Sequence, residues 1–267
     1  MTSLKLIICI VRTKCLYKIK KREDKIKMTE KLFWGVDSKV PSNRMLQNNL
    51  SLFEWAKRNK THPVFWVRNI SGNDCLTKEE VDFLYKKACR IVSLYVDDDH
   101  NVKGTEEQGQ LAAEKAAKYA SDLGIPEETV VFLEIEDTET ATTEYLKGYA
   151  AGIMNLGYTP GLKANTDSLY RFDCEYSRGL QMYRDVFESC LIWATAPNVK
   201  EYNKMTTTHL IHPDCWKPFA PSGIRRKDIA MWQYGKECHE IYDDEDNKVV
   251  FNIDLVMNEN VVIDKMF

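Results

Sequence analysis

Short apolar runs, most of them followed by a stretch with helical apolar spacing, recur along this chain and limit its fold more than any other feature. Leu32–Asp37 (LFWGVD), Pro63–Ile70 (PVFWVRNI), Arg90–Val96 (RIVSLYV), Val130–Glu136 (VVFLEIE), Tyr158–Ala164 (YTPGLKA), Ser189–Ala196 (SCLIWATA), Ile229–Tyr234 (IAMWQY) and Val250–Leu255 (VFNIDL) read as eight strands. A helix is expected over Ser42–Lys60, where Met45, Leu46, Leu50, Leu52, Phe53 and Trp55 recur at helical spacing. A second is expected within Asn73–Lys87, opened by a capping box of Thr77 and Glu80. Gly104–Leu123, rich in Ala, Glu and Lys and stopped by Gly124 with Pro126 beyond, is the clearest helix. Thr142–Leu156, closed by Gly157, is another, and Leu169–Glu188 holds helical and turn material. The long connection Pro197–Lys227, with Trp216 and Phe219 among prolines, could cover a site as a lid. Asp243–Lys248 is polar and hairpin-like. Eight strands with helices between most of them predict a single (β/α)8 TIM-type barrel over residues 28–267, and a chain of 267 residues with 44% hydrophobic content can bury that one core.

The strand opening at Val130 continues as VVFLEIEDTE, an apolar run that ends in acids. Side chains alternate on a strand, so Glu134 and Glu136 are expected on one face, roughly 7 Å apart, with Asp137 turned away or already in the loop. Two neighbouring carboxylates repel, so one should keep its proton to higher pH than a free Glu, which yields one acid and one base. Such a pair is what glycosidic bond cleavage requires. A solvated acidic strand end is the plainer alternative, but the preceding residues are too apolar for a strand facing water. Asp37, Asp97, Glu134, Glu136 and Asp254 all read as lying at C-terminal strand ends, the face on which barrels of this type carry their active sites.

Other classes find less support. A net charge of −3 supplies no overall field for nucleic acid or an anionic membrane surface. The eight cysteines (Cys9, Cys15, Cys75, Cys89, Cys174, Cys190, Cys215, Cys238) are spread thinly with no CxxC pair and read as reduced thiols. Asp97-Asp98-Asp99-His100 alternate in direction, which suits a solvated loop better than a divalent cation site. His209, His212, Cys215, Cys238 and His239 are zinc-ligand types, but their spacing matches no standard site and Pro213 interrupts any helix. No metal and no cofactor is expected, and no nucleophile elbow, Walker loop or dinucleotide fingerprint is present. Arg68 is expected to pair with a barrel acid or, alternatively, to touch substrate. No run is long enough to span a bilayer, and Leu4–Val11 is a poor signal sequence, which implies synthesis in the cytoplasm and exit by lysis, a holin or a dedicated exporter. Residues 1–27 are read as a non-domain leader, untranslated in the native gene if Met28 is the true start. A monomer is expected.

Several motifs then stand in order: GVD in the first strand, LTKEEVDFL, G-x2-Q-G-x3-A-x2-A-x2-A-x3-G-I-P before the central strand, FLEIED, GYTPGL, LIWATA, MWQYG and FNIDL. Together, over Phe33–Val256, they resemble the glycoside-hydrolase-like barrel domain of unknown function 1906 (the Rv2525c-like group), related to the family 25 lysozymes. That resemblance implies action on cell-wall peptidoglycan, cleaving between N-acetylmuramic acid and N-acetylglucosamine. It implies Glu136 as general acid and Glu134 as the carboxylate that stabilises positive charge at the sugar, with Asp37 and Asp254 as the first- and last-strand acids. Trp232, Gln233, Tyr234 and Trp193 match groove-lining positions, and Arg68 and Tyr95 join them as candidate substrate contacts. Glu134 stands where the lysozymes carry Asp, and SKVPSN after Asp37 is closer to the 1906 group. The rival reading is a catalytically inactive barrel that binds glycan or a protein partner through the same groove.

Overall fold

The computed structural model describes residues 31–46, 49–57, 62–97, 102–137, 141–207, 209–239, 249–257 and 260–267; the leader read at 1–27, the acids Asp98 and Asp99 with His100, and the polar stretch Asp243–Lys248 lie outside them. Leu32–Phe267 forms one compact unit. Its strands are β1 (Leu32–Asp37), β2 (Phe65–Asn69), β3 (Arg90–Tyr95), β4 (Val130–Glu134), β5 (Thr159–Ala164), β6 (Leu191–Ala194), β7 (Met231–His239) and β8 (Val250–Met257), closed into a barrel in sequence order. The helices are α1 (Leu52–Ala56), α2 (Lys78–Lys86), α3 (Glu106–Leu123), α4 (Thr143–Asn155), α5 (Arg171–Met182) and α6 (Arg184–Glu188). The expected α/β barrel is therefore present, with one change of direction. β1 to β7 run parallel to one another, whereas β8 is antiparallel to both β7 and β1. The link from β7 to β8 is too short for the helical crossover that a parallel pair needs, so the chain turns straight back.

Local chemistry explains where the helices begin and end. Thr105 accepts from Gln108 N while the Gln108 side chain accepts from Thr105 N, a complete capping box, and Gly124 closes α3 at φ 77°. The helix expected over Ser42–Lys60 is instead the short α1, capped by Ser51, preceded by an irregular segment in which Asn49 takes φ 60°. Asparagine tolerates the left-handed region and breaks the helix despite the apolar spacing. Thr77 caps α2 through Glu80 N, but the Glu80 carboxylate turns elsewhere, so the expected capping box is only half formed.

The interior of the barrel carries Phe65, Val67, Val92, Leu94, Val130, Phe132, Trp193, Met231 and Val256. Phe132 fills space that Gly161 leaves open: a Cβ there would come within 2.4 Å of its ring. The closing 3-10 turn Val261–Lys265 and Met266 complete this core, and Phe267 exchanges backbone hydrogen bonds with Ile91. Outside the strands, α-helices follow each of β1 to β5, and among the described residues no α-helix lies between β6 and β8. The long connection between β6 and β7 supplies the cover there. Trp216 meets Trp232 at 6.1 Å between ring centroids, Tyr202 meets Tyr234 at 5.3 Å, and His212 stacks on Trp34 at 4.8 Å. An aromatic layer thus replaces the missing helix, and each ring buried in it is worth roughly 1.5–3 kcal/mol.

Within that layer burial lowers the His212 pKa from 6.5 to about 4, and its Nδ1 shares a short hydrogen bond with the Tyr234 hydroxyl. A depressed folded-state pKa contributes stability that is whole above 6.5 and lost as pH falls through about 4. The expected outcome is that thermal stability falls between pH 7 and pH 4 more steeply in the wild type than in His212→Phe, which has no imidazole to protonate. Melting curves across that range check it; equal slopes would show that His212 titrates as freely folded as unfolded.

Candidate active site

Alternation sorts the barrel residues into two faces, and the polar ones among the inward-facing residues gather at the C-terminal end of the parallel strands. β1 contributes Asp37, β4 Glu134 and β5 Lys163, whose Cα is in register with Glu134. Lys163 Nζ lies 2.7 Å from Asp37 Oδ2 and 2.8 Å from Glu134 Oε1, and 4.3 Å above the centroid of the Trp193 ring. Gln233 Nε2 donates to the same Asp37 oxygen at 2.9 Å. Burial alone would drive the Lys163 proton off; Asp37, Glu134 and Asp254 outweigh it and hold the ammonium charged above the ordinary lysine range. The charge that Glu134 meets at contact distance is therefore positive, where repulsion from Glu136 was expected.

Two adjoining cavities open over this cluster and share Glu134, Lys163 and Asn252. One, of about 340 Å³, is also lined by Asp37, Lys39, Asn69 and Leu94. The other, of about 300 Å³, adds Glu136, Asp137, Thr195, Gln233 and Lys236. Glu134 is the last residue of β4, with its side chain one-fifth exposed, and Glu136 lies in the loop beyond it, exposed. The two carboxylates share a cavity without sharing a strand face, a correction to the spacing argument, because β4 ends before Glu136.

Asp254 also departs from expectation. Because β8 runs backwards, it lies in mid-strand opposite Gly35, below Asp37 rather than beside it. It is fully buried, accepts from Trp193 Nε1 at 2.8 Å, and its Oδ2 has no partner among the described residues. Burial first and the charge of Asp37 second hold its proton well above the usual carboxylate range, against the opposing pull of Lys163 and the Trp193 N–H.

The remaining candidates divide by face. Trp193 and Gln233 point inward and belong to the cluster. Trp232 and Tyr234 point outward into the aromatic layer, almost wholly buried, with Trp232 Nε1 donating to Pro197 O at 3.1 Å; neither presents surface to a ligand. Tyr95 also faces outward, buried, stacked on Tyr149 with centroids 6.4 Å apart. Arg68 is buried on the outer face. Its Nε donates to Glu80 Oε2 at 3.0 Å, Nη1 to the carbonyls of Ser38 and Lys39 at 2.7 Å each, and Nη2 to Asp74 O at 2.6 Å. Its acid partner is on a helix, and the pair anchors the loop that carries Lys39 to the cavity. Asp97 is buried and accepts from Tyr145 Oη at 2.7 Å.

Among the described residues no group of three or more His, Cys, Asp or Glu is arranged to hold a metal ion, and no helix is long and apolar enough to cross a membrane. The described cysteines are free thiols, and burial pushes those of Cys190 and Cys238 up to about 12, which leaves them poor nucleophiles near neutrality.

Lys163, Asn69, Thr195, Asn252, Lys39 and Lys236 were not singled out by the sequence reading. A signal for Lys163 exists: it is a charged residue near the end of a buried strand, two positions after an inward-facing glycine, and a lysine so placed needs a partner.

A closed α/β barrel with carboxylates at the C-terminal ends of its strands has the form of a glycoside-hydrolase-like domain. The chain belongs to the family of Rv2525c-like, glycoside hydrolase-like domains, whose model matches residues 39–254. Among solved structures it is similar to an uncharacterized B. stearothermophilus protein, with 24% identity and a TM-score of 0.70 over 88% of this chain and 100% of that one. It is also similar in fold to the catalytic domain of the endolysin ply40 from bacteriophage P40 of Listeria monocytogenes, with 13% identity and a TM-score of 0.50 over 88% of this chain and 97% of that one. Comparison with curated protein sequences finds no match.

The buried Lys163 makes a stability prediction. Lys163→Met leaves the Asp37 and Glu134 carboxylates without their counter-ion, which should cost on the order of 3–5 kcal/mol. Adding Glu134→Gln should recover part of that loss, so the double variant is more stable than the sum of the singles. Denaturant titration of the four proteins measures the coupling; strict additivity would mean that Lys163 and Glu134 do not hold each other.

Proposed function

We propose that the barrel mouth binds a bacterial cell-wall glycan and cleaves it with Glu136 as general acid and Glu134 as the anionic partner. The observation that carries this reading is the shared cavity: Glu134, fixed by Lys163, and Glu136, exposed on the following loop, line one recess at the C-terminal face of a glycoside-hydrolase-like barrel. An acid that donates to the leaving oxygen has to reach solvent to be reprotonated, which suits Glu136. A carboxylate that stabilises positive charge at the sugar has to be ionised and immobile, which suits Glu134, held through Oε1 by an ammonium. Asp37 and Gln233 keep that ammonium in place, and Asp254, whose proton burial holds more tightly than in a free carboxyl, lies beneath them. The choice of peptidoglycan follows the resemblance to the family 25 lysozymes.

One observation favours a second reading, a barrel that binds glycan without cutting it. The single charge of Lys163 is shared between Asp37 and Glu134 and so weakens the field that either offers a developing oxocarbenium ion. Glu136→Gln separates the two. The amide keeps the shape and hydrogen-bonding capacity of the side chain but has no proton to give. On purified peptidoglycan, release of reducing ends should fall on the order of 100-fold or more while co-sedimentation with the wall persists. A wild type that sediments with the wall and releases no reducing ends would establish the binding reading instead.

A further inference from the structure

Of the rings assigned to the glycan by sequence, Trp232, Tyr234 and Tyr95 are buried on the outer face of the barrel and Trp193 is buried beneath Lys163, so a sugar chain at the mouth needs another apolar platform. A third recess supplies one. With a volume of about 630 Å³, it is formed by Thr166 to Leu169 after β5 and by Phe219, Ala220 and Arg226 of the long connection. Leu169 is 88% exposed and Phe219 38% exposed, apolar surface set beside Thr166, Asp167, Ser168 and Arg226.

The recess is continuous with the mouth along the backbone. Thr195, which lines the mouth, is followed by Ala196, whose carbonyl accepts from Phe219 N at 2.8 Å. Phe219 O in turn accepts from Thr166 Oγ1 at 2.9 Å, so the backbone under the ring is held from both sides. Arg226 is fixed as well: its Nε donates to Pro218 O at 3.1 Å and its carbonyl accepts from Trp216 Nε1 at 3.0 Å. Two apolar side chains on immobilised backbone, flanked by an arginine and the carboxylate of Asp167, match a pyranose ring, which offers an apolar C–H face rimmed by hydroxyls. Little ordering would be needed on binding.

We infer that this recess is a second sugar subsite, in which Phe219 and Leu169 seat a ring of the same glycan chain that lies more than one unit away from the ring over Glu134 and Glu136. The inference rests on the glycan reading of the mouth and adds to it a requirement for chain length. The two subsites act on one ligand, so only a chain long enough to span both gains from Phe219.

Isothermal titration with peptide-free cell-wall oligosaccharides tests it, using the full chain carrying Glu136→Gln so that no turnover intervenes. A hexasaccharide should bind about tenfold tighter than a disaccharide, the equivalent of one well-seated ring. Phe219→Ala should remove most of that advantage and leave disaccharide affinity unchanged, while Phe219→Trp keeps it. Leu169→Ser, at a still more exposed position, should give a smaller loss in the same direction, so the outcome does not hang on how Phe219→Ala folds. An unchanged chain-length advantage in both variants, or an equal loss for both sugars, overturns the second subsite while the mouth still binds glycan. Binding of neither sugar by the parent protein overturns the glycan reading itself, and this inference with it.

Discussion

A lysine ammonium held between two carboxylates inside a barrel is the interaction on which the functional end of this molecule depends. Asp37 and Glu134 converge on the one ammonium, and Lys163 keeps its charge against burial because these acids surround it. Each strand that contributes a member is thereby fixed in register with its neighbours, because Cα pairing sets Glu134 directly opposite Lys163 across the β4–β5 ladder. Below the triad, Trp193 joins two of its needs: its ring face lies under the ammonium, and its N–H holds one oxygen of Asp254. The polar layer is thus tied to the apolar core by a single indole, and the mouth above inherits that rigidity.

Much of this was legible in the chain. Apolar runs bounded by helical spacing placed all eight strands, and the Ala-, Glu- and Lys-rich run stopped by Gly124 placed α3 nearly to the residue. The direction of the last strand was not legible from periodicity, since alternation reads the same from either end. The polar stretch after β7 was itself the clue, because a hairpin-like link and a parallel crossover exclude each other. Facing was the other failure. Trp232, Gln233 and Tyr234 are adjacent in sequence, so a strand must turn the first and third away from the second, and only Gln233 enters the barrel. The shared strand face expected for Glu134 and Glu136 failed for the opposite reason: alternation was carried past the point where β4 ends.

Lys163 escaped notice because a lysine in an apolar strand usually signals an edge, and nothing local announces that two carboxylates far away in sequence will converge on it. Arg68 shows the same effect on the outer face. Four of its five donors go to Glu80 and to three loop carbonyls, and Glu80 is at the same time the acceptor for Ser42 N. A residue that looked like a ligand contact is instead the internal fastening of the loops that shape the cavity. Such a role is defined by tertiary closure and carries no sequence signature beyond the presence of an acid at some distance.

Replacing a helix by an aromatic-rich connection between β6 and β7 has a consequence for recognition. A helix there would return the chain to the bottom of the barrel promptly; the connection instead lays Tyr202, His212 and Trp216 over β7 first and then holds Phe219 beside Ala196 before it returns. One segment therefore buries Trp216 against Trp232 on the barrel wall and, three residues on, exposes Phe219 beside the end of β6. The irregularity of this stretch, rich in prolines and poor in periodic pattern, is what allows the scaffold to present an apolar surface to ligand without giving up its closed core. The rings committed to the wall cannot serve the groove, and the ring that can is the one whose backbone is held while its side chain is left in the open.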